Sequence, residues 1–192
     1  MTEPFRLLVV CTANRCRSPM AERLAADQLR RRGVDAEVRS SGTMEGGVPA
    51  TDGARRALAR RGLDLSEHTS RQLDADTIEV ADLIVTMERR HLGAVAELSI
   101  EAVRRSFPLK ELAALAAATG TRPPAVPVSE WIARADRMRH PSSVLSVSTS
   151  DDVQDPMGGS RRDYRRTADE LDDLLDQVFS RLFPAPAGAA EG

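Results

Sequence analysis

The stretch from Leu7 to Pro19 constrains the fold more than any other part of this 192-residue chain. Leu7-Leu8-Val9-Val10 is short, uninterrupted and partly β-branched, the pattern of a strand buried on both faces of a parallel sheet. Ser18-Pro19 then reads as a helix start, with Ser18 as N-cap and Pro19 at the first helical position. Between them lies Cys11-Thr12-Ala13-Asn14-Arg15-Cys16-Arg17. A buried strand feeding a helix through so short a loop is the first half of a βαβ unit, and it requires parallel partners and covering helices.

The rest of the chain supplies those partners. A second strand reads through 36–40, a third through 81–86 and a weaker fourth through 105–107. Helices alternate with them at 51–61, closed by Gly62, and at 88–98. Residues 109–119 and 128–138 are expected to be helical, the latter carrying the sole tryptophan, Trp131, as a core anchor. Residues 142–150 hold five serines in nine positions and read as a loop. Asp155-Pro156-Met157-Gly158-Gly159 reads as a turn. A last helix is expected over 160–183, with Tyr164, Leu171, Leu174, Leu175, Val178 and Leu182 as its buried stripe. The expectation is one α/β domain over 1–183, an insertion at about 109–150, and a disordered tail over 184–192.

Composition excludes several classes. With 27 basic and 29 acidic side chains the net charge is −2, so no global field recruits nucleic acid. No apolar run reaches the roughly 18 residues of a membrane span, and residues 1–5 lack the flank of a signal peptide. Two cysteines cannot build a disulfide framework, which fits a reducing compartment, and a cytoplasmic location is expected. No Cys/His spacing points to a metal, and neither a Walker A nor a G-x-G-x-x-G pattern is present, so no metal and no cofactor is expected.

The chemistry therefore rests on the loop. Backbone N–H groups between a strand end and a helix start converge on an anion, and the helix dipole adds positive potential. A cysteine at the strand end, Cys11, places its sulfur in that field, which favours the thiolate and makes it a nucleophile. Arg17 carries a planar fork suited to two phosphate oxygens. Ser18 can donate to the Cys11 sulfur, and Asn14 can tie the loop's shape through its amide. Cys16 either packs under the loop or pairs reversibly with Cys11. A leaving oxygen needs a proton, and among Asp151, Asp152 and Asp155 only the last precedes a proline that fixes the turn.

Residues 8–22, Leu-Val-Val-Cys-Thr-Ala-Asn-Arg-Cys-Arg-Ser-Pro-Met-Ala-Glu, together with Asp155-Pro156, resemble the low-molecular-weight protein tyrosine phosphatase family in its bacterial form. The likeness extends to Ser40-Ser41-Gly42-Thr43, to 68–73 and to Met87-Glu88. It implies a four-stranded parallel sheet of order 2-1-3-4 flanked by helices. It further implies Cys11 as nucleophile, Arg17 as phosphate clamp, Asp155 as general acid, and Thr12, Ala13, Asn14, Arg15, Cys16 and Ser18 as the phosphate-binding loop. The implied substrate is a phosphorylated protein, with phosphotyrosine first and a tyrosine kinase as a candidate partner.

This chain departs from the family pattern at the rim. Tyrosine-specific members carry an apolar residue after the loop asparagine and aromatic residues after Asp-Pro; here Arg15 and Met157-Gly158 stand there. Members acting on phosphoarginine carry threonine at the Arg15 position. Arg15 is expected to reach an acidic substrate flank or a second phosphate. His68 is read as structural and Arg71 as a loop brace. Two other functions share these residues: arsenate reduction with an external small thiol, and a non-catalytic phospho-binding module. A three-cysteine relay is excluded because no cysteine follows Cys16.

Overall fold

β1, Phe5–Cys11, runs through the middle of the molecule, and a computed structural model describes residues 3–139 and 149–184 around it. The expected loop at 142–150 and tail at 184–192 fall almost wholly outside the described residues. β1 pairs in parallel with β2, Ala36–Gly42, on one side and with β3, Leu83–Thr86, on the other. β4, Ser106–Pro108, completes the order β2-β1-β3-β4, the order the resemblance implied.

The alternation of side chains along β1 divides the core between the two faces of the sheet. Leu7, Val9 and Cys11 join the larger apolar layer, with Met20, Leu24 and Leu29 of α1 (Arg17–Arg31) and Ala54 and Leu58 of α2 (Asp52–Ala59). Leu8 and Val10 face a smaller layer, with Ile78 of α3 (Ala75–Glu79), Val95 of α4 (Arg90–Leu98) and Ala102 of the 3₁₀ turn Ile100–Arg105. The apolar run from Leu7 to Cys11 is thus satisfied on both sides.

The larger layer is completed by α5 (Leu109–Thr119), α6 (Val128–Met138) and α7 (Arg161–Leu182). Trp131 is fully buried and its Nε1–H donates to the Gly120 carbonyl at 2.8 Å, so it is the core anchor expected of it. Arg139 after α6 lays its guanidinium 4.0 Å from the Phe107 ring and donates to the Ser106 carbonyl at 2.6 Å, docking this hairpin onto β4. α7 opens with a capping box between Ser160 and Asp163 and buries Tyr164, Leu171, Leu175, Val178 and Leu182 as expected, with Leu174 only partly covered.

Three local expectations change. α1 starts at Arg17 with Cys16 in the N-cap position and no side-chain cap, not at Ser18-Pro19, because the Ser18 hydroxyl is engaged elsewhere. α4 starts at Arg90 and not at residue 88, because Glu88 turns its side chain to Arg17. α3 was not anticipated: five residues carry too little periodicity to read, and Asp74 caps them through the Thr77 N–H at 2.7 Å.

Candidate active site

The loop after β1 turns on Asn14, whose φ of 51° lies in the left-handed region that asparagine tolerates better than most residues. That conformation brings its N–H to the Cys11 sulfur at 3.2 Å. The rest of Asn14 is fully engaged. Its carbonyl meets His68 Nε2 at 2.8 Å, its Oδ1 accepts from the Arg71 N–H at 2.9 Å, and its Nδ2 donates to the hydroxyls of Ser18 and Ser40, both at 2.8 Å. Ser40 in turn donates a hydrogen bond to the Glu22 carboxylate at 2.5 Å. Ser18, whose oxygen accepts from the amide, stands 3.0 Å from the Cys11 sulfur and 3.4 Å from the Ser41 carbonyl, so its proton can serve a thiolate at Cys11.

His68 is therefore structural, and Arg71 braces the loop through its backbone N–H. Gly42, paired with Cys11 across β1 and β2, lies so close that a Cβ there would sit 2.7 Å from the Thr12 carbonyl and 2.8 Å from the Asn14 nitrogen. The first N–H groups of α1 have no carbonyl within their own helix, and no side chain caps them, so they remain donors at the loop.

Arg17 is 1% exposed and spans the site. Its Nη1 pairs with Glu88 and donates to the Val153 carbonyl at 3.0 Å, while its Nη2 pairs with Asp155 at 2.7 Å. Its buried Nε has no partner among the described residues, which leaves that N–H and the second N–H of Nη2 for an anion. Burial works against the charge of Glu88, but hydrogen bonds from Arg90 and Arg17 outweigh it and hold its carboxyl below the usual range. Asp155 Oδ1 accepts the Met157 N–H at 3.1 Å, an Asx turn that sets the carboxyl's direction. Asp151 and Asp152 instead engage Arg89, the one through its guanidinium and the other through its N–H at 2.8 Å, so Asp155 alone of the three meets Arg17.

Thr12 extends the polar ring. The Glu88 N–H donates to His91 Nδ1 at 3.1 Å, so Nε2 carries the proton and donates to Thr12 Oγ1 at 3.0 Å. Arg90 donates to the same oxygen at 3.0 Å, which leaves the Thr12 proton to act as a donor. Burial pushes His91 down to about 4, against the charge of Glu88, so the ring is neutral at physiological pH. Glu88, His91, Ser40 and Glu22 were not singled out as site residues. Only the likeness at 8–22, at 40–43 and at Met87-Glu88 marks their neighbourhoods.

At the rim, Arg15 donates through Nε to the Pro49 carbonyl at 3.2 Å, and its own carbonyl accepts the Thr51 N–H at 2.9 Å. Cys16 is buried, its sulfur 3.2 Å from the Thr51 hydroxyl and 3.7 Å from that of Tyr164. Burial raises its thiol, against the hydrogen bonds from those two hydroxyls. Met157 is partly exposed, and all six aromatic residues of the chain, Tyr164 included, are buried, so no ring stands free to wall the mouth.

A sheet of this order, with a thiol at the carboxyl end of its central strand and an arginine linking that loop to a carboxylate, defines a cysteine-dependent phosphatase. The family profile for low molecular weight phosphotyrosine protein phosphatase matches residues 6–118. A protein-arginine-phosphatase of Bacillus subtilis is 32% identical over 177 residues, 92% of this chain and 95% of that protein. Low molecular weight protein-tyrosine phosphatase A of Mycobacterium tuberculosis is 36% identical over 56% of this chain and 69% of its own. Among solved structures, a low molecular weight protein tyrosine phosphatase from Bacillus subtilis superposes with a TM-score of 0.70 at 31% identity, covering 93% of this chain and 97% of that one. The chain belongs to the low molecular weight protein tyrosine phosphatase family and is a phosphatase.

Proposed function

We propose that the protein removes phosphate from phosphorylated protein side chains through a phosphocysteine at Cys11. The observation that carries this reading is the reach of one buried side chain: Arg17 joins the loop that holds the Cys11 sulfur to the Asp155 carboxyl, 2.7 Å away. The Cys11 thiolate attacks phosphorus in line with the leaving oxygen, while the loop N–H groups and the Arg17 fork hold the three equatorial oxygens. Asp155 gives its proton to the leaving group as the P–O bond breaks. It then takes a proton from the water that attacks phosphocysteine, and inorganic phosphate departs. Ser18, 3.0 Å from the sulfur, stabilises the thiolate as it is released. Cys11→Ser is expected to abolish hydrolysis of p-nitrophenyl phosphate, a loss of more than about a thousandfold, with the far-UV spectrum unchanged. Equal rates in the variant and the parent would remove the proposal.

Phosphotyrosine is the leading substrate, on the family's description. Phosphoarginine is the second reading. A protein-arginine-phosphatase aligns along 92% of this chain, and a mouth without free aromatic rings does not depend on stacking a phenyl group. Paired peptides differing only in the phosphorylated residue decide between them through kcat/KM. Arsenate reduction is separated by Asp155→Asn, which should stop dephosphorylation and leave reduction by an added small thiol. The implied partners are phosphorylated proteins, including a tyrosine kinase, and we place the protein in the cytoplasm, where both cysteines stay as thiols. No helix among the described residues is long and apolar enough to cross a membrane.

A further inference from the structure

Away from the loop, α2 and the first turns of α7 enclose a groove of about 380 Å³. Its floor is Gly53 and Ala57, and its rim is Arg56 and Arg60 from α2 with Arg161 and Arg165 from α7. Gly53 makes the groove: a Cβ there would meet the Tyr164 ring at 2.4 Å, so only glycine lets the two helices approach this closely. Each arginine pair stands at i,i+4 spacing, where like charges share one helix face and repel. The acids nearby are already engaged. Asp52 pairs with Arg55, Asp163 with Arg166 and the Ser160 N–H, and Asp169 and Asp172 with Arg61. None of the four rim arginines has an ion-pair partner among the described residues. In a chain of net charge −2, this is a local concentration of positive charge over an apolar floor.

The groove adjoins the proposed catalytic centre on both sides. Thr51, which caps α2, donates its N–H to the Arg15 carbonyl and touches the Cys16 sulfur, and α7 begins at Arg161, shortly after Asp155 in the chain. From Thr51 the helix carries Arg56 and Arg60 about 7 to 14 Å away. We infer that this groove binds an acidic stretch of the protein substrate, its carboxylates on the arginine rim and an apolar side chain on the Gly53–Ala57 floor. This rests on the reading of the chain as a protein phosphatase. At roughly 3.3 Å per extended residue, the acidic positions fall about two to four residues from the phosphorylated one.

Two measurements on the full chain test it. A fluorescein-labelled, unphosphorylated heptapeptide of alternating Asp and Leu should bind by anisotropy, and its Asn-and-Leu counterpart should not. Replacing all four arginines (Arg56→Gln, Arg60→Gln, Arg161→Gln, Arg165→Gln) should weaken binding at least about tenfold, and either helix's pair alone about threefold. Binding should fall as salt shortens the screening length below about 8 Å. In kinetics, a phosphotyrosyl peptide with acidic residues at those positions should show a KM about tenfold below its Asn-substituted twin, with equal kcat. The fourfold variant should erase that advantage and leave p-nitrophenyl phosphate turnover unchanged. Equal binding of both heptapeptides, or binding indifferent to the arginine replacements, overturns the proposal. So does a groove that takes inorganic polyphosphate but no acidic peptide. If p-nitrophenyl phosphate is not hydrolysed at all, the phosphatase reading fails, and the anisotropy result still judges the groove.

Discussion

The loop from Cys11 to Ser18 and the segment carrying Asp155 are held in place by different means. Under the loop, Asn14 engages its N–H, its carbonyl and both ends of its amide, and Ser18, Ser40 and Glu22 continue the chain of buried hydrogen bonds. Asp155 is 40% exposed at its side chain and is fixed by one turn contact and by Arg17, while Asp151 and Asp152 are moored to Arg89. The position of the proposed nucleophile is thus a property of the core, and that of the proposed acid a property of the Arg17 side chain that reaches it from another element. Damage under the loop should cost stability and activity together, and damage to the acid segment should cost activity alone.

The largest break in that comparison is Asp155→Asn. It should lower kcat by about 10²- to 10⁴-fold with the midpoint of thermal unfolding unchanged, because a half-exposed carboxyl contributes little to folding. A comparable loss of thermal stability would show the acid segment to be part of the core. Asn14→Ala is the opposite case. It strands several buried groups and puts alanine at a positive φ, so unfolding in urea should show a loss of about 2–4 kcal/mol alongside reduced turnover. Full stability with lost turnover would mean that the network only shapes the loop.

His91 sharpens the contrast through pH. Above about pH 6.5 it is neutral in both folded and unfolded chains; as pH falls further, the unfolded chain takes up a proton that the folded one refuses until about 4. Its share of stability should therefore decline between those values, by roughly 3 kcal/mol at the acid end. His91→Asn should flatten that part of the urea-derived pH profile, and an unchanged slope would assign the loss to other groups. The smallest effect expected is for Asp151→Asn, about two- to fivefold in kcat and less than about 1 kcal/mol in stability. A loss as large as that of Asp155→Asn would make Asp151 the acid.

Local patterns carried the sheet, the alternation of helices and the cluster around Cys11, since an apolar strand followed by a polar loop and a helix start reads within a dozen residues. They also placed α5, α6 and Trp131 correctly. What stayed hidden depends on contacts distant in the chain: Asn14 with Arg71, Arg17 with Glu88, and Gly42 pressed against the loop. For Ser18 the contact with the Cys11 sulfur is the expected one, and only its reading as a helix cap fails. A carboxylate at position 88 looks like a helix start until an arginine 71 positions away turns out to hold it.

The burial of Trp131 has an optical consequence. It is the chain's sole tryptophan, enclosed between α5, α6 and α7 with its indole N–H on the Gly120 carbonyl. Intrinsic fluorescence excited at the indole therefore follows the integrity of that helical layer and should stay silent when an anion enters the loop, so folding and ligand occupancy can be read in one cuvette as independent signals.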